Sequence, residues 1–401
     1  MMIKKQYDEI EVERKEIIFS GNETIVENIN RVMAYIQEHK VLATKGKHYF
    51  AIKHIKDLNA ILLDPIDVFS TRPAQKTYPN INGIYLLLRT MGMLTFQVSK
   101  KETVMGINSE LLESWQRLNS VEQYFTLLEN WLVHSKPDAT IEGSRNSLPL
   151  SEIISFFTYG RNHSTERMIE NLSFFPEYYN IALAKMFGFV EITTVTPSNK
   201  IRWNIIDIKL QPLVKQILER MKPKDDNALI EWIFNPPARG YSKEIFTPYC
   251  KAFKNTLDYP EEREKNGLFR LKISLGKVYR TIDVTSEIDF QGLVSILLEL
   301  FGFDNDHLYE FKFLDNFGQE LVIKHPAMSL DEGKAWADEF YLKNIPLKEQ
   351  NSFTFIFDFG DWWEFDILIE KIDEGKCIEE FKLIKSVGKA PEQYPDYDEE
   401  W

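Results

Sequence analysis

The chain has 401 residues, 44% of them hydrophobic and 13% aromatic, which is enough to bury more than one core and too apolar for a disordered scaffold. Its longest apolar runs, LVSILLEL from Leu293 and IYLLL from Ile84, fall far short of the roughly 20 residues of a membrane span, so no span is expected. The formal charge of −13 sits at one end: residues 301–401 carry 10 Lys and Arg against 24 Asp and Glu, whereas residues 1–300 carry 38 against 37.

Nucleic-acid binders gain affinity by neutralising phosphates, so the acidic last third is a poor surface for DNA and only the first 300 residues remain permissive. The first residues, MMIKKQYDEIEVERKEIIF, mix both charges without an apolar core or a small-residue cleavage site, so no signal peptide is expected and the reading is cytoplasmic. Cys250 and Cys377 have no partner at metal-ligand spacing, and both are expected to be reduced.

In chain order, Ile25, Ile29, Val32, Met33 and Ile36 predict an amphipathic helix over 21–40, with Asn22 as its cap. A short extended piece ends at Lys45-Gly46, and Ile52, Ile55, Leu58 and Leu62 predict a second helix. A Pro-rich and polar loop is expected near 65–80. Residues 82–98 then read as a helix, a break at Gly92 and the strand LTFQV, followed by a turn at Ser99–Lys101 and VMGI. The order returns at 178–210 as a helix, Gly188, the strand FVEITTV, the turn TPSNK and the strand IRWNIIDI. Helix followed by hairpin is the arrangement of a winged-helix unit, so two related modules are expected, at 1–140 and 141–225. Helices around 121–133 and 211–221 would pack behind them.

Residues 226–264 read as a connector with a short helix at 226–234, and a domain is expected over 265–401. There, LFRLKISLGKVYRTIDV gives two strands joined at Gly276-Lys277. A helix over 288–301 would bury Ile288, Leu293, Ile296, Leu297 and Leu300, and further strands are expected at 307–314, 320–324, 353–358 and 363–371. The fold class expected is α+β, with mostly helical winged-helix-like modules followed by a C-terminal α+β roll. No dinucleotide fingerprint, phosphate loop or nucleophile elbow occurs, and no cofactor is expected.

Three ordered words in the last third, VYRTIDV at 278–284, LLELFGFDNDHLYEF at 297–311 and FDFGDWWEFDILIEKI at 357–372, resemble the plasmid pRiA4b ORF-3-like family. The resemblance covers about 267–390. More weakly, TKGKHYFAIKHIKDLN and YNIALAKMFGFVEI look like the N-terminal extensions of some relatives. It implies a small α+β roll associated with plasmids and mobile elements, and no defined reaction. His307, Tyr309 and Phe311 match the family's HLYxF word, and Asp358, Gly360, Asp361 and Trp363 match its aspartate-glycine-aspartate-tryptophan word. Phe365 stands where many relatives carry a histidine.

Two readings of these residues compete. An imidazole and two carboxylates, His307 with Asp358 and Asp361, have the chemistry to bind a divalent metal or move a proton. Alternatively Asp358, Gly360 and Asp361 shape a turn, with Gly360 in a conformation closed to other residues. His307, Tyr309 and Phe311 share a strand face that would line a groove or the core. One of Trp362 and Trp363 is expected to be exposed, and the acidic end 391–401 to be solvated. For nucleic acid, the candidate contacts are Lys45, Lys47, Lys53, Lys56, Lys185, Lys200 and Arg202, with His48 and His54 nearby.

The reading adopted is a non-enzymatic interaction or regulatory protein in a mobile-element or defence setting, with a protein partner. A DNA-binding regulator acting through residues 1–225 and a metal-dependent hydrolase at His307, Asp358 and Asp361 are the alternatives.

Overall fold

In the computed structural model, the described residues are 2–10, 16–19, 21, 23–44, 47–68, 73–98, 101–135, 149–158, 169–196, 203–223, 228, 232, 236–259, 264–314, 320–328, 335–376 and 381–394. The chain divides into two units, Met1–Pro260 and Glu261–Trp401. The fold class is α+β. Among the described residues no helix is long and apolar enough to cross a membrane.

In the first unit, α1 (Met2–Glu9) is followed by α2 (Ile25–Glu38), where Ile25, Ile29, Val32, Met33 and Ile36 form the buried face that their spacing predicts. Asn22 lies outside the described residues, and the cap position is Thr24. Strand β1 (Val41–Ala43) leads to α3 (Ile52–Ala60). Ile55 and Leu58 are buried there, but Ile52 is 59% exposed, contrary to expectation. His54 takes an inward place on the first turn instead. Its Nε2 accepts from the Leu42 amide at 3.0 Å and its Nδ1 lies 3.2 Å from the Tyr35 hydroxyl, so the ring joins α2, β1 and α3.

The helix, glycine break and hairpin expected over 82–107 are present as α4 (Pro79–Thr90), β2 (Leu94–Val98) and β3 (Thr103–Ile107). The sheet runs β1-β3-β2, pairing Leu42 with Val104 and Gln97 with Val104 on the other side. Helices α5 (Ser109–Arg117) and α6 (Ser120–Glu129) follow, the latter passing into a π turn at Asn130–His134. After α7 (Pro149–Thr158), the motif recurs as α8 (Tyr178–Met186), β4 (Val190–Thr194) and β5 (Ile205–Leu210), followed by α9 (Pro212–Met221).

Both motifs end their helix in the same way. Gly92 and Gly188 have φ of 71° and 74°, and the next residue's amide reaches back to the helix, Met93 to Leu88 O at 2.9 Å and Phe189 to Ala184 O at 2.8 Å. This left-handed glycine closure satisfies terminal carbonyls and turns the chain into the hairpin. The two helices also pack on each other: a Cβ added at Gly83 would lie 2.8 Å from Leu183 Cγ, so only glycine allows this approach without a shift. Along α4, residues 79–85 and 87–90 are all buried.

The stretch expected as a connector includes α10 (Tyr241–Phe246), and residues 236–259 pack into the first unit. Phe246 and Phe253 stack on Phe125 of α6 with ring centroids 4.6 and 4.7 Å away. Two buried carboxylates fasten the same segment. Glu122 accepts from the Asn255 amide at 2.8 Å and the Lys254 amide at 3.2 Å. Glu129 accepts from the Gly240 amide at 2.7 Å and the Ser242 amide at 2.8 Å. The short helix expected at 226–234 falls largely outside the described residues.

Among its described residues the second unit has one long helix and one sheet of eight strands, in the order β10 (Ala335–Trp336), β9 (Glu320–Lys324), β8 (Tyr309–Leu314), β11 (Ser352–Phe357), β12 (Trp363–Glu374), β6 (Gly267–Leu275), β7 (Val278–Thr285) and β13 (Lys382–Val387). Strands β6 (Gly267–Leu275) and β7 (Val278–Thr285) meet across the expected Gly276-Lys277 loop, where Gly276 has φ 59°. Along β6, Phe269, Leu271 and Ile273 alternate inward. Helix α11 (Phe290–Phe301) starts at Asp289, whose Oδ1 accepts from the Gly292 amide at 2.6 Å, and ends at left-handed Gly302. Its buried residues include Leu293 and Leu297 as expected, along with Phe290, Val294, Leu298 and Phe301; Ile288, Ile296 and Leu300 are only partly buried.

Strands β8 (Tyr309–Leu314), β9 (Glu320–Lys324), β11 (Ser352–Phe357) and β12 (Trp363–Glu374) lie close to expectation. Two strands carried no readable pattern: β10 (Ala335–Trp336), parallel to β9, and β13 (Lys382–Val387), an edge strand almost wholly exposed.

Candidate functional site

The family-like words converge where β8 begins and β11 ends. Tyr309 pairs with Phe357 as the last register of those strands, and the Asp358 amide donates to Leu308 O at 3.1 Å. This brings His307 and Asp358 together. Nε2 of His307 lies 3.5 Å from Asp358 Oδ2 and 3.8 Å from Asp306 Oδ1.

The chain then turns through residues 358–362. Asp358 Oδ1 accepts from the Gly360 amide at 2.8 Å, and Asp358 O accepts from the Trp362 amide at 2.7 Å. The left-handed residues are Asp358 (φ 53°) and Trp362 (φ 56°), whereas Gly360, expected to hold such a conformation, has no positive φ. Glycine at 360 makes room instead: a Cβ would lie 3.1 Å from Asp358 Oδ1.

A strap from the C-terminal side completes the cluster. The Tyr394 hydroxyl donates to Asp306 Oδ2 at 2.6 Å, and Gln393 Nε2 donates to Asp306 Oδ1 at 3.1 Å and to the Tyr394 oxygen at 3.0 Å. Because the phenolic proton is committed to Asp306, the 3.0 Å contact between His307 Nε2 and Tyr394 has the imidazole N–H as donor. The Tyr394 bond holds the Asp306 carboxyl below its ordinary range. Conversely, the bond to Asp306 pushes the Tyr394 phenol up to about 12. Gln393 is buried, whereas Pro391, Glu392 and Tyr394 of the same acidic end are exposed.

The other candidates fall elsewhere. Tyr309 and Phe311 do share a face, but it faces the core, where both are buried, and His307 lies before the strand. Among the described residues the Tyr309 hydroxyl has no hydrogen-bond partner, and burial pushes its pKa up to about 12. Asp361 is exposed, and among the described residues no three His, Cys, Asp or Glu side chains are grouped to hold a metal ion. Trp363 packs edge-on against Phe303 at 5.0 Å, while Trp362 is 50% exposed. Phe365 is in the core, 5.1 Å from Phe301.

Of the basic candidates, Lys47, Lys53 and Lys56 are exposed, Lys185 is ion-paired with Asp64, and Lys45, Lys200 and Arg202 lie outside the described residues. His54 is buried, and burial pushes its pKa down. Asp306, Gln393 and Tyr394 escaped the sequence reading. Gln393 and Tyr394 meet partners nearly 90 positions away, which no local pattern announces.

Residues 268–393 match the family described as Plasmid pRiA4b ORF-3-like protein. The second unit therefore carries a pRiA4b ORF-3-like domain. The match leaves residues 1–267 outside it. A curated relative, "Uncharacterized protein y4hQ" of Sinorhizobium fredii, is 30% identical over 128 residues, covering 30% of this chain and 63% of that protein. The chain thus spans less than two thirds of that relative's length. A solved structure, the protein of unknown function MM3350 from Methanosarcina mazei Go1, is 21% identical and covers 31% of this chain and 72% of its own, with a TM-score of 0.28.

Proposed function

We propose that this is a non-enzymatic interaction or regulatory protein, acting with a protein partner in a plasmid, mobile-element or defence setting. The plasmid setting comes from the description of the matched family. The interaction reading rests on the fate of α4. Helix, strand, two helices and hairpin, with β1 closing on β3, is a winged-helix order, and in a DNA reader of that kind a helix must lie free to enter the major groove. Here α4 is buried along nearly its whole length and packs at Gly83 on α8, its counterpart in the second motif. Neither helix presents a basic face, and Lys185 on α8 is paired with Asp64. The two modules use their helices on each other and leave their outer surfaces for a partner.

The test is binding of the full chain to a mixed-sequence DNA duplex across a salt series. The expected result is no binding with a steep salt slope. A slope corresponding to several neutralised phosphates would replace this reading with the DNA-binding regulator.

A further inference from the structure

We propose that the turn 358–362, with Leu308 beside it, docks a cationic, apolar peptide segment of a partner protein. This rests on the interaction reading above. Leu308, Phe359 and Trp362 are 41%, 36% and 50% exposed, and the last two rings stand 6.1 Å apart. Three large apolar side chains are thus held at the surface where strand pairing brings residues 308 and 358 together.

Trp362 supplies a second observation. It keeps a left-handed backbone that an L side chain adopts only at a cost, and half of the residue's surface nevertheless stays exposed. The neighbouring Trp363 does the packing. The turn is fixed by the bonds to Asp358, so the exposed indole is presented on a rigid support. A left-handed backbone kept at a ring that stays half exposed points to a ligand.

Charge selects the class of that ligand. Asp306, Asp361 and Glu364 are exposed and lie within two residues of the patch in sequence, in a region with 24 acidic against 10 basic side chains. Such a rim repels nucleic acid and anionic lipid and attracts Lys or Arg. The chain's own Lys312 already stands over the indole, its Nζ 5.9 Å from the centroid, so the incoming cation is drawn by the acidic rim. A segment that places arginine or lysine beside leucine-like residues satisfies both features.

The experiment is calorimetric titration of the full chain with three short peptides of equal length, alternating Leu-Arg, Ser-Arg and Leu-Glu. The Leu-Arg peptide is expected to bind, with the other two weaker by about tenfold or more, as is usual when an anchor residue is lost. The variant Trp362→Gly, which suits a left-handed backbone, should fold normally and bind the Leu-Arg peptide about tenfold more weakly. Equal binding of the Ser-Arg peptide, undiminished binding by Trp362→Gly, or no binding of the Leu-Arg peptide would each overturn the proposal. Those outcomes leave the interaction reading standing with another surface, since that reading falls only to the duplex titration.

Discussion

Two histidine–carboxylate pairs among the described residues, His134 with Glu129 and His307 with Asp358, are alike in separation and differ in surroundings. His134 Nε2 lies 3.2 Å from Glu129 Oε1, with both side chains under 8% exposed, whereas His307 Nε2 lies 3.5 Å from Asp358 Oδ2, with the imidazole 39% exposed. The first pair is walled in by the segment it fastens. The second lies beside solvent, next to an exposed Trp and a strap that reaches in from 87 residues away. Burial, not the pair itself, separates a group that holds the fold from one that can meet a partner.

The comparison is tested hardest at Glu129. Glu129→Ala leaves the Gly240 and Ser242 amides and His134 without their acceptor, and removing one member of a buried polar cluster costs about 3–5 kcal/mol. Denaturant unfolding of the full chain measures it, with the first unit's transition affected most. Burial works to raise the Glu129 pKa, but the bonds from His134, Ser242 and Gly240 outweigh it and hold the carboxyl below its ordinary value. A lowered folded pKa contributes stability that is complete above the unfolded value, about 4.3, and is lost as pH falls through the folded one. The gap between wild type and Glu129→Ala should therefore narrow below about pH 4. A constant gap would mean that the carboxylate's charge contributes nothing.

These contrasts were unevenly legible in the sequence. The apolar spacing of α2, the two helix–glycine–hairpin motifs and the Gly276-Lys277 loop could be read because each is set by residues a few positions apart. The inward His54, the edge strand β13 and the Gln393–Tyr394 strap could not, because what defines them is a partner distant in sequence. The words containing His307 and Asp358 are brought together by the pairing of Asp358 with Leu308. The left-handed residues of the turn were misplaced, since Asp and Trp seldom adopt that backbone and glycine was the natural choice.

A smaller effect tests the helix contact behind the proposed function. Gly83→Ala should gain about 1 kcal/mol of helix propensity and lose about 1–3 kcal/mol to overpacking, because the new Cβ meets Leu183 Cγ in a filled interior. The net expectation is a loss of about 1 kcal/mol, read from the unfolding midpoint. In a Leu183→Ala background the obstruction is gone, and the same change should become stabilising. A substitution that is destabilising in both backgrounds would show that α4 and α8 are not in contact at this point.

The smallest effect is expected at Trp362, and its smallness is what makes it informative. The residue is half exposed, so truncation forfeits about half of a large side chain's burial, about 1.5 kcal/mol. Replacement by glycine relieves about 1–2 kcal/mol of left-handed backbone cost and gives back about 0.5–1 kcal/mol through the freer unfolded chain. Trp362→Gly should therefore unfold within about 1 kcal/mol of wild type, whereas Glu129→Ala should not. A loss near that of Glu129→Ala would mean that the indole packs as a structural residue, and the distinction between buried cluster and surface anchor would fail at its exposed end. A stability at or above wild type, together with weakened peptide binding, would instead show that the chain tolerates a less stable turn in order to hold an aromatic ring in solvent.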